Sequence, residues 1–282
     1  MKRLRVASGV AAVLMAATLI VGCGGGGSSS PSSPSSPAAP TTPTTPTTPS
    51  LNVCGILTGT PSFSHGIVTG TQCPTANTSV VLVNLRDKNG NAVGGCTGTV
   101  IARRAVLTAA HCLDGDAAIA KVYLGTGEQI LAESFQWSPR YRAGDPSSLD
   151  VGVVITTQDL DRTPIALLTS RDARVGEQAV IAGWGRDEND NLATLRAGTA
   201  AISAVWSTLL ETQYPGSASS VCFGDSGGPL LLSEGGVWAI GGIISATGPS
   251  GTCRSGPSYY ANVRNADITK FILDLVPGAG QR

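Results

Sequence analysis

Short apolar runs separated by turn-forming residues fill the chain from about residue 51 onward. Six of these runs have the length and the Val, Ile and Leu content of β-strands: 80–85, 122–124, 151–155, 179–182, 230–232 and 237–244. One stretch, 266–276, has apolar residues at helical spacing, with Ile268, Phe271, Ile272 and Leu275 on one face. The pattern predicts an all-β protein with a C-terminal helix.

The first 22 residues have the pattern of an export signal. Lys2, Arg3 and Arg5 precede a largely apolar run over 6–21, whose 16 residues fall short of the roughly 20 that span a membrane. The last residues before Cys23 resemble the lipid-attachment box of bacterial lipoproteins. We expect Cys23 to become the lipidated first residue of an exported, membrane-anchored protein facing the periplasm or cell exterior. A plain signal peptide cleaved nearby is the alternative.

Residues 24–50 consist only of Gly, Ser, Pro, Ala and Thr. Such a segment cannot bury enough apolar surface to order itself, and its Pro-Thr repeats favour extended conformations, so we expect residues 23–50 to form a tether. The whole chain has 19 basic and 19 acidic residues and no strongly basic segment, so its composition does not indicate a nucleic-acid partner.

The most specific motif for chemistry is Gly-Asp-Ser-Gly-Gly-Pro at 224–229. Glycines around Ser226 allow a sharp turn that exposes its hydroxyl. Taken alone, the motif also fits the Gly-x-Ser-x-Gly nucleophile elbow of α/β-hydrolases. Those enzymes place their histidine after the serine, whereas His65 and His111 both precede Ser226.

A serine hydroxyl needs a base, and the base needs an acid to orient it. His111 ends the apolar run 106–111 and is the candidate base, whereas His65 is interpreted as a surface residue. Asp150 opens the apolar run 151–155 and is the candidate acid, although such an aspartate is often a solvated strand cap. The order His111, Asp150, Ser226 matches one of three known triad orders.

These motifs, with 67–70, 96–101, 182–185 and 257–263, resemble the chymotrypsin/trypsin family of serine proteases from about residue 67 to 276. The resemblance implies two six-stranded antiparallel β-barrels, about 67–168 and 169–265, followed by the helix 266–276. It implies a protease domain over 67–282 that acts on proteins or peptides as a monomer, without a metal or cofactor. The Gly224 and Ser226 N–H groups would form the oxyanion hole, and Ser245 would support Asp150.

Other functions remain open at this point. A non-catalytic binding module on the same fold is the main alternative, although all three triad residues are present. A subtilisin-like enzyme would need its aspartate before His111, and an esterase on the protease fold is conceivable.

Six cysteines besides Cys23 predict disulfides in an exported chain, and six allow 15 pairings. The resemblance implies Cys96–Cys112 and Cys222–Cys253, which leaves Cys54–Cys73 as a pair that departs from the family. That bridge would span a cleavage site after Gly66. Residues 51–66 would then be a propeptide, and cleavage would free the Ile67 amine to pair with Asp225. The tether would stay attached to the protease through the Cys54–Cys73 bridge. A protease that needs no cleavage is the alternative.

The resemblance places Ser220 at the base of the specificity pocket, with Ser258 and either Thr247 or Gly248 on its walls. A pocket without an acid does not favour Arg or Lys, and bulk on its walls favours small or medium apolar side chains. The acidic residues Asp114, Asp116, Asp187, Glu188 and Asp190 are interpreted as solvated turns, with calcium binding as the alternative.

Overall fold

The structure is a computed structural model that describes most of the chain from residue 67 onward. It covers residues 67, 70–75, 78–127, 129–145, 147–187, 189, 192, 194–216, 219–248 and 253–282. The predicted signal peptide, tether and propeptide, together with Cys23 and Cys54, lie outside these residues.

A two-residue strand, β1 (Thr71–Gln72), precedes a closed six-stranded antiparallel barrel. The barrel consists of β2 (Val80–Arg86), β3 (Ala92–Ala102), β4 (Ala105–Thr108), β5 (Ile119–Tyr123), β6 (Ile130–Trp137) and β7 (Gly152–Thr156). Neighbours around it run β2-β3-β4-β7-β6-β5. Its interior is made of fully buried branched side chains, including Val83, Val100, Val106, Val122 and Val154. Burying each such side chain contributes about 1.5–3 kcal/mol.

A second antiparallel barrel follows. Its strands are β8 (Gln178–Gly183), β9 (Arg196–Val205), β10 (Leu209–Gln213), β11 (Pro229–Glu234), β12 (Val237–Thr247) and β13 (Pro257–Asn262). They run β8-β9-β10-β13-β12-β11, and β11 pairs with β8 to close the barrel. Strand β1 pairs with β9 of this second barrel, and Ile67 belongs to its core. Two six-stranded barrels confirm the predicted fold class.

Two helices complete the described chain. The single-turn α1 (Ala110–Leu113) follows β4, and α2 (Ala266–Leu275) follows β13. The Asn265 side chain caps α2 by accepting hydrogen bonds from the N–H groups of Asp267 and Ile268, and Ile268 and Ile272 bury its apolar face. This helix confirms the predicted C-terminal helix. No helix among the described residues is long and apolar enough to cross a membrane.

Candidate active site

Ser226 lies in the tight turn between β10 and β11, and its side chain is half-buried. Gly224 has φ +94°, and a Cβ there would lie 2.9 Å from the Cα of Gly185. Gly227 has φ +82°, and a Cβ there would lie 2.4 Å from the carbonyl oxygen of Thr97 in the first barrel. Both glycines are therefore required by the left-handed turn and by its close contact with neighbouring backbone.

The hydrogen bonds of this turn leave two N–H groups open. The Asp225 N–H donates to Cys222 and the Gly227 N–H donates to Ile244, at 3.0 and 2.8 Å. Four consecutive carbonyls accept: Phe223 from the Arg186 N–H (2.9 Å), Gly224 from the Thr97 hydroxyl (2.8 Å), Asp225 from the Gly228 N–H (2.8 Å) and Ser226 from the Thr97 N–H (2.8 Å). Within the described residues, no hydrogen bond occupies the N–H groups of Gly224 and Ser226.

His111 lies in α1, directly after β4, and Asp150 lies just before β7, which pairs with β4. This pairing brings the two side chains together. The Nδ1 atom of His111 is 2.8 Å from Oδ2 of Asp150, and the His111 backbone N–H donates to Oδ1 at 2.9 Å. The Ser245 hydroxyl, from β12, donates to Oδ2 of Asp150 at 2.6 Å. Three donors therefore converge on one carboxylate.

The environment of Asp150 keeps it ionised. The residue is only 5% exposed, and burial by itself raises the pKa of a carboxyl group. The hydrogen bonds from His111 and Ser245 and the positive charge that His111 can carry outweigh burial, so the pKa of Asp150 lies below its ordinary value. The imidazole therefore faces a carboxylate that is fixed in position.

Ser226 lies close to the segment that carries His111. The Sγ atom of Cys112, the residue after His111, lies 3.8 Å from the carbonyl oxygen of Ser226. Among the described contacts, the Ser226 hydroxyl makes no hydrogen bond to the His111 ring. Such bonds are often long in the absence of substrate and tighten when it binds.

Asp225 is fully buried beneath the Ser226 turn. Its carboxylate accepts from the N–H groups of Gly185 and Cys222, each at 2.8 Å. Burial raises the pKa of Asp225 to about 7, although these two hydrogen bonds and the charge of Arg196 act in the opposite direction. Ile67, which is 1% exposed, lies in the core of the same barrel.

The residues assigned to the base and walls of the pocket lie together. Ser220 and Ser258 are both buried, and their hydroxyl oxygens are 3.3 Å apart. Thr247 on β12 lies directly opposite Ser258 on β13, and the Gly248 N–H donates to the Pro257 carbonyl at 2.7 Å. The hydroxyl of the assigned base residue therefore contacts the hydroxyl of an assigned wall residue.

Cys96–Cys112 and Cys222–Cys253 are both disulfide-bonded, as the resemblance implied. Cys73 is disulfide-bonded too, and its proposed partner, Cys54, lies outside the described residues. Among the described residues, Cys96, His111 and Cys112 form the one cluster with metal-binding spacing, but both thiols are consumed by the disulfide.

One predicted solvated acidic residue is in fact buried. The Asp187 side chain is fully buried, forms an ion pair with Arg196 and accepts a hydrogen bond from the Asn189 N–H at 2.8 Å. The interpretation of Asp187 as part of a solvated turn was therefore wrong, because the chain folds this side chain inward onto β9.

Sequence reasoning also missed Thr97 and Arg186, which hold carbonyls of the Ser226 turn. Both are remote from that turn in the chain. No local pattern distinguishes them from ordinary strand and loop residues.

Comparisons with known proteins agree with this geometry. A family model described as Trypsin matches residues 67–272. Chymotrypsin of Phaedon cochleariae is 31% identical over 194 residues, which cover 60% of this chain and 68% of that protein. The atrial natriuretic peptide-converting enzyme of Homo sapiens is 26% identical over 209 residues, which cover 64% of this chain. The match covers 20% of that enzyme, so the chain spans about a fifth of its length.

A solved collagenase structure superimposes with a TM-score of 0.64 at 20% identity, covering 74% of this chain and 98% of the collagenase. At that identity the likeness shows the shared fold alone.

Proposed function

Since this chain belongs to the trypsin family of serine endopeptidases, we propose that it cleaves peptide bonds with Ser226 as nucleophile, His111 as base and Asp150 as the orienting acid. The main support is the double contact between Asp150 and His111, through the ring Nδ1 and the backbone N–H. A carboxylate at Nδ1 leaves Nε2 without a proton and able to accept one.

The reaction follows from these positions. His111 takes the Ser226 proton as the serine oxygen attacks the substrate carbonyl carbon, and the carbonyl oxygen becomes an oxyanion. The open N–H groups of Gly224 and Ser226 donate to that oxyanion. His111 then gives its proton to the leaving amine, the C–N bond breaks and an acyl-enzyme remains. Water, deprotonated by His111, then attacks the acyl carbon; the bond to the Ser226 oxygen breaks, His111 returns the proton to that oxygen, and the acid product leaves.

The pocket favours small or medium apolar side chains on the acyl side of the cleaved bond. Ser220 supplies no charge to pair with Arg or Lys. Ser258 and the facing Thr247 carry side chains where glycine would leave more room, so we expect them to exclude a large ring. Burying an apolar group against these residues is favourable, whereas burying an unpaired cation is not.

Cleavage after Gly66 would supply Asp225 with a counter-charge. A fully buried carboxylate whose pKa is raised to about 7 is costly to ionise. The new Ile67 amine, starting from a residue already in the core of this barrel, would pair with Asp225 and order the turn. An enzyme that is active without cleavage is the alternative.

The third disulfide would keep the cleaved segment attached. Cys73 is disulfide-bonded, and the other four described cysteines are paired with one another. With Cys54 as its partner, the bridge would join the protease to the segment that carries the tether. The lipid on Cys23 would then hold the cleaved enzyme at a membrane surface.

Labelling with a fluorophosphonate, mapped by mass spectrometry, tests both the nucleophile and the activation step. The exported chain and its Ser226→Ala variant are treated in parallel, and the mature N-terminus is sequenced from the same samples. We expect label on Ser226, a free Ile67 amine, and no label in the variant. Turnover in the variant should fall on the order of 10⁶-fold, by analogy with a related triad.

Other outcomes have distinct meanings. An unlabelled intact chain would indicate a zymogen awaiting its activator, and label on an intact chain would refute the activation step. An unlabelled chain with a free Ile67 amine would favour the non-catalytic binding module.

A further inference from the structure

Thr97 links the first barrel to the Ser226 turn of the second. It lies on β3 beside Cys96 and is completely buried. The Thr97 N–H donates to the Ser226 carbonyl at 2.8 Å, and the Thr97 carbonyl accepts from the Thr108 hydroxyl at 2.8 Å. Its N–H therefore bonds across to the second barrel, whereas its carbonyl is bonded within the first.

The directions of the two hydrogen bonds to the Thr97 hydroxyl are fixed by their partners. The Trp184 backbone N–H lies 2.9 Å from Thr97 Oγ1 and can only donate. The Gly224 carbonyl lies 2.8 Å from the same oxygen and can only accept. A hydroxyl has a single proton, so that proton is directed at Gly224.

Gly224 has a positive φ of +94°, a backbone conformation that side-chain-bearing residues rarely adopt. The bond from Arg186 to the Phe223 carbonyl restrains the peptide before it, and the bond from Thr97 restrains the peptide after it. The open Gly224 N–H belongs to the first of these peptides, so Arg186 holds it directly. Thr97 holds the peptide on the other side of the Gly224 Cα and thereby limits rotation about that atom.

We propose that Thr97 is a positioning residue of the oxyanion hole, acting through its hydroxyl on Gly224 and through its N–H on Ser226. This inference rests on the proposed function. Oxyanion donors stabilise the transition state because they are aligned beforehand, so loosening one of them lowers turnover more than substrate binding.

Thr97→Val tests the proposal, since it replaces the hydroxyl with a methyl group of similar size. It leaves the Gly224 carbonyl and the Trp184 N–H without this partner. We expect kcat to fall 10- to 100-fold, equivalent to about 1.4–2.7 kcal/mol of transition-state stabilisation, with KM within about twofold of wild type. Thr97→Ser, which keeps the hydroxyl, should restore most of the turnover.

Thr99 provides a matched control on the same strand. It is 1% exposed, and its hydroxyl has no hydrogen-bond partner among the described residues. Thr99→Val therefore makes the same chemical change two residues away without removing a bond, and its kcat should equal that of wild type.

A peptide aldehyde separates positioning from general loss of structure. Its hemiacetal oxygen occupies the oxyanion position, so its affinity should fall with Thr97→Val by the same factor as kcat/KM. A folded Thr97→Val enzyme with wild-type kcat and aldehyde affinity would overturn the proposal. If Thr97→Val does not fold, Thr97→Ala removes the hydroxyl without adding apolar bulk, and the same criteria apply to it.

The wild-type enzyme in the same assay separates this inference from the proposed function. If wild type hydrolyses the substrate and Thr97→Val, or Thr97→Ala in its place, does so equally fast, the positioning role alone is refuted. No hydrolysis by a wild-type chain with a free Ile67 amine refutes both.

Discussion

Replacing Asp150 with Asn should change the Nδ1 atom of His111 from a hydrogen-bond donor into an acceptor. The carboxylate accepts three hydrogen bonds: two from His111, through its N–H and Nδ1, and one from the Ser245 hydroxyl. An amide of nearly the same shape has one oxygen that accepts and one NH₂ group that only donates. The backbone N–H of His111 cannot become an acceptor, so the amide oxygen must face it. The NH₂ group then faces Nδ1, which has to give up its proton.

The magnitude follows from the tautomer that this forces. With Nδ1 accepting, the imidazole proton moves to Nε2, the atom that must take the proton of Ser226. In the analogous triad of a related enzyme the same change lowers kcat on the order of 10⁴-fold, which is about 5.4 kcal/mol of transition-state stabilisation. Ser245→Ala removes one hydrogen bond to the carboxylate but leaves the tautomer unchanged. It should cost about 10- to 100-fold, as expected for a hydrogen bond to a charged group.

Steady-state hydrolysis of a peptide anilide by wild type, Asp150→Asn and Ser245→Ala measures these effects, with thermal unfolding as the check on folding. The expected order of activity is wild type, then Ser245→Ala, then Asp150→Asn. If folded Asp150→Asn kept more than about a tenth of wild-type kcat, the tautomer argument would be wrong. Asp150 would then be a strand cap, the alternative weighed from the sequence.

Two further predictions concern Asp225 and the pocket. In the intact chain, the raised pKa of Asp225 means that, between about pH 4 and pH 7, the folded state keeps a proton that the unfolded state has released. The free energy of unfolding should therefore fall as the pH rises through this range, by at most about 4 kcal/mol. Urea unfolding between pH 5 and 7, in a Ser226→Ala background, measures how the free energy of unfolding depends on pH. The decrease should be steeper with Asp225 than with Asp225→Asn, and equal slopes for the two proteins would contradict the prediction. Ser258→Gly removes a hydroxyl that contacts Ser220 and should raise the kcat/KM ratio for Phe over Ala substrates about tenfold, by the usual value of apolar pocket contacts. An unchanged substrate profile would argue against Ser258 as a pocket wall.

Most of the strands that were predicted from the sequence share one physical property, a dense run of buried apolar residues; β5, with two buried side chains of five, is an exception. In β2 and β11 most side chains are buried, so the apolar pattern is visible in the chain itself. In β6 seven of eight side chains are only partly buried or exposed along a mixed sequence, and β9 is rich in Ala with few branched residues. Those strands depend on pairing with their neighbours rather than on local preference, which a single sequence does not reveal.

The candidate site divides in the same way. Ser226 could be proposed from local sequence because its turn needs glycines at fixed offsets, and the positive φ values at Gly224 and Gly227 supply the reason. Asp150 had a weaker local signal and depended on the order of residues along the chain. The inward-facing Asp187 was misjudged because its partner, Arg196, lies nine positions further along the chain, at the start of β9.

The restraints on the oxyanion turn were beyond sequence reasoning for a definite reason. The bond between Thr97 and Gly224 joins residues 127 positions apart, and the bond between Thr97 and Trp184 joins residues 87 positions apart. The local sequence does not reveal these hydrogen bonds, because a buried threonine on a strand is ordinary and every residue has a backbone carbonyl and, except proline, an N–H. The sequence motif identifies the groups that meet the substrate, whereas the packing of one barrel on the other decides how firmly they are held. Variants at Thr97 should therefore change turnover without altering any residue of the Gly-Asp-Ser-Gly-Gly motif.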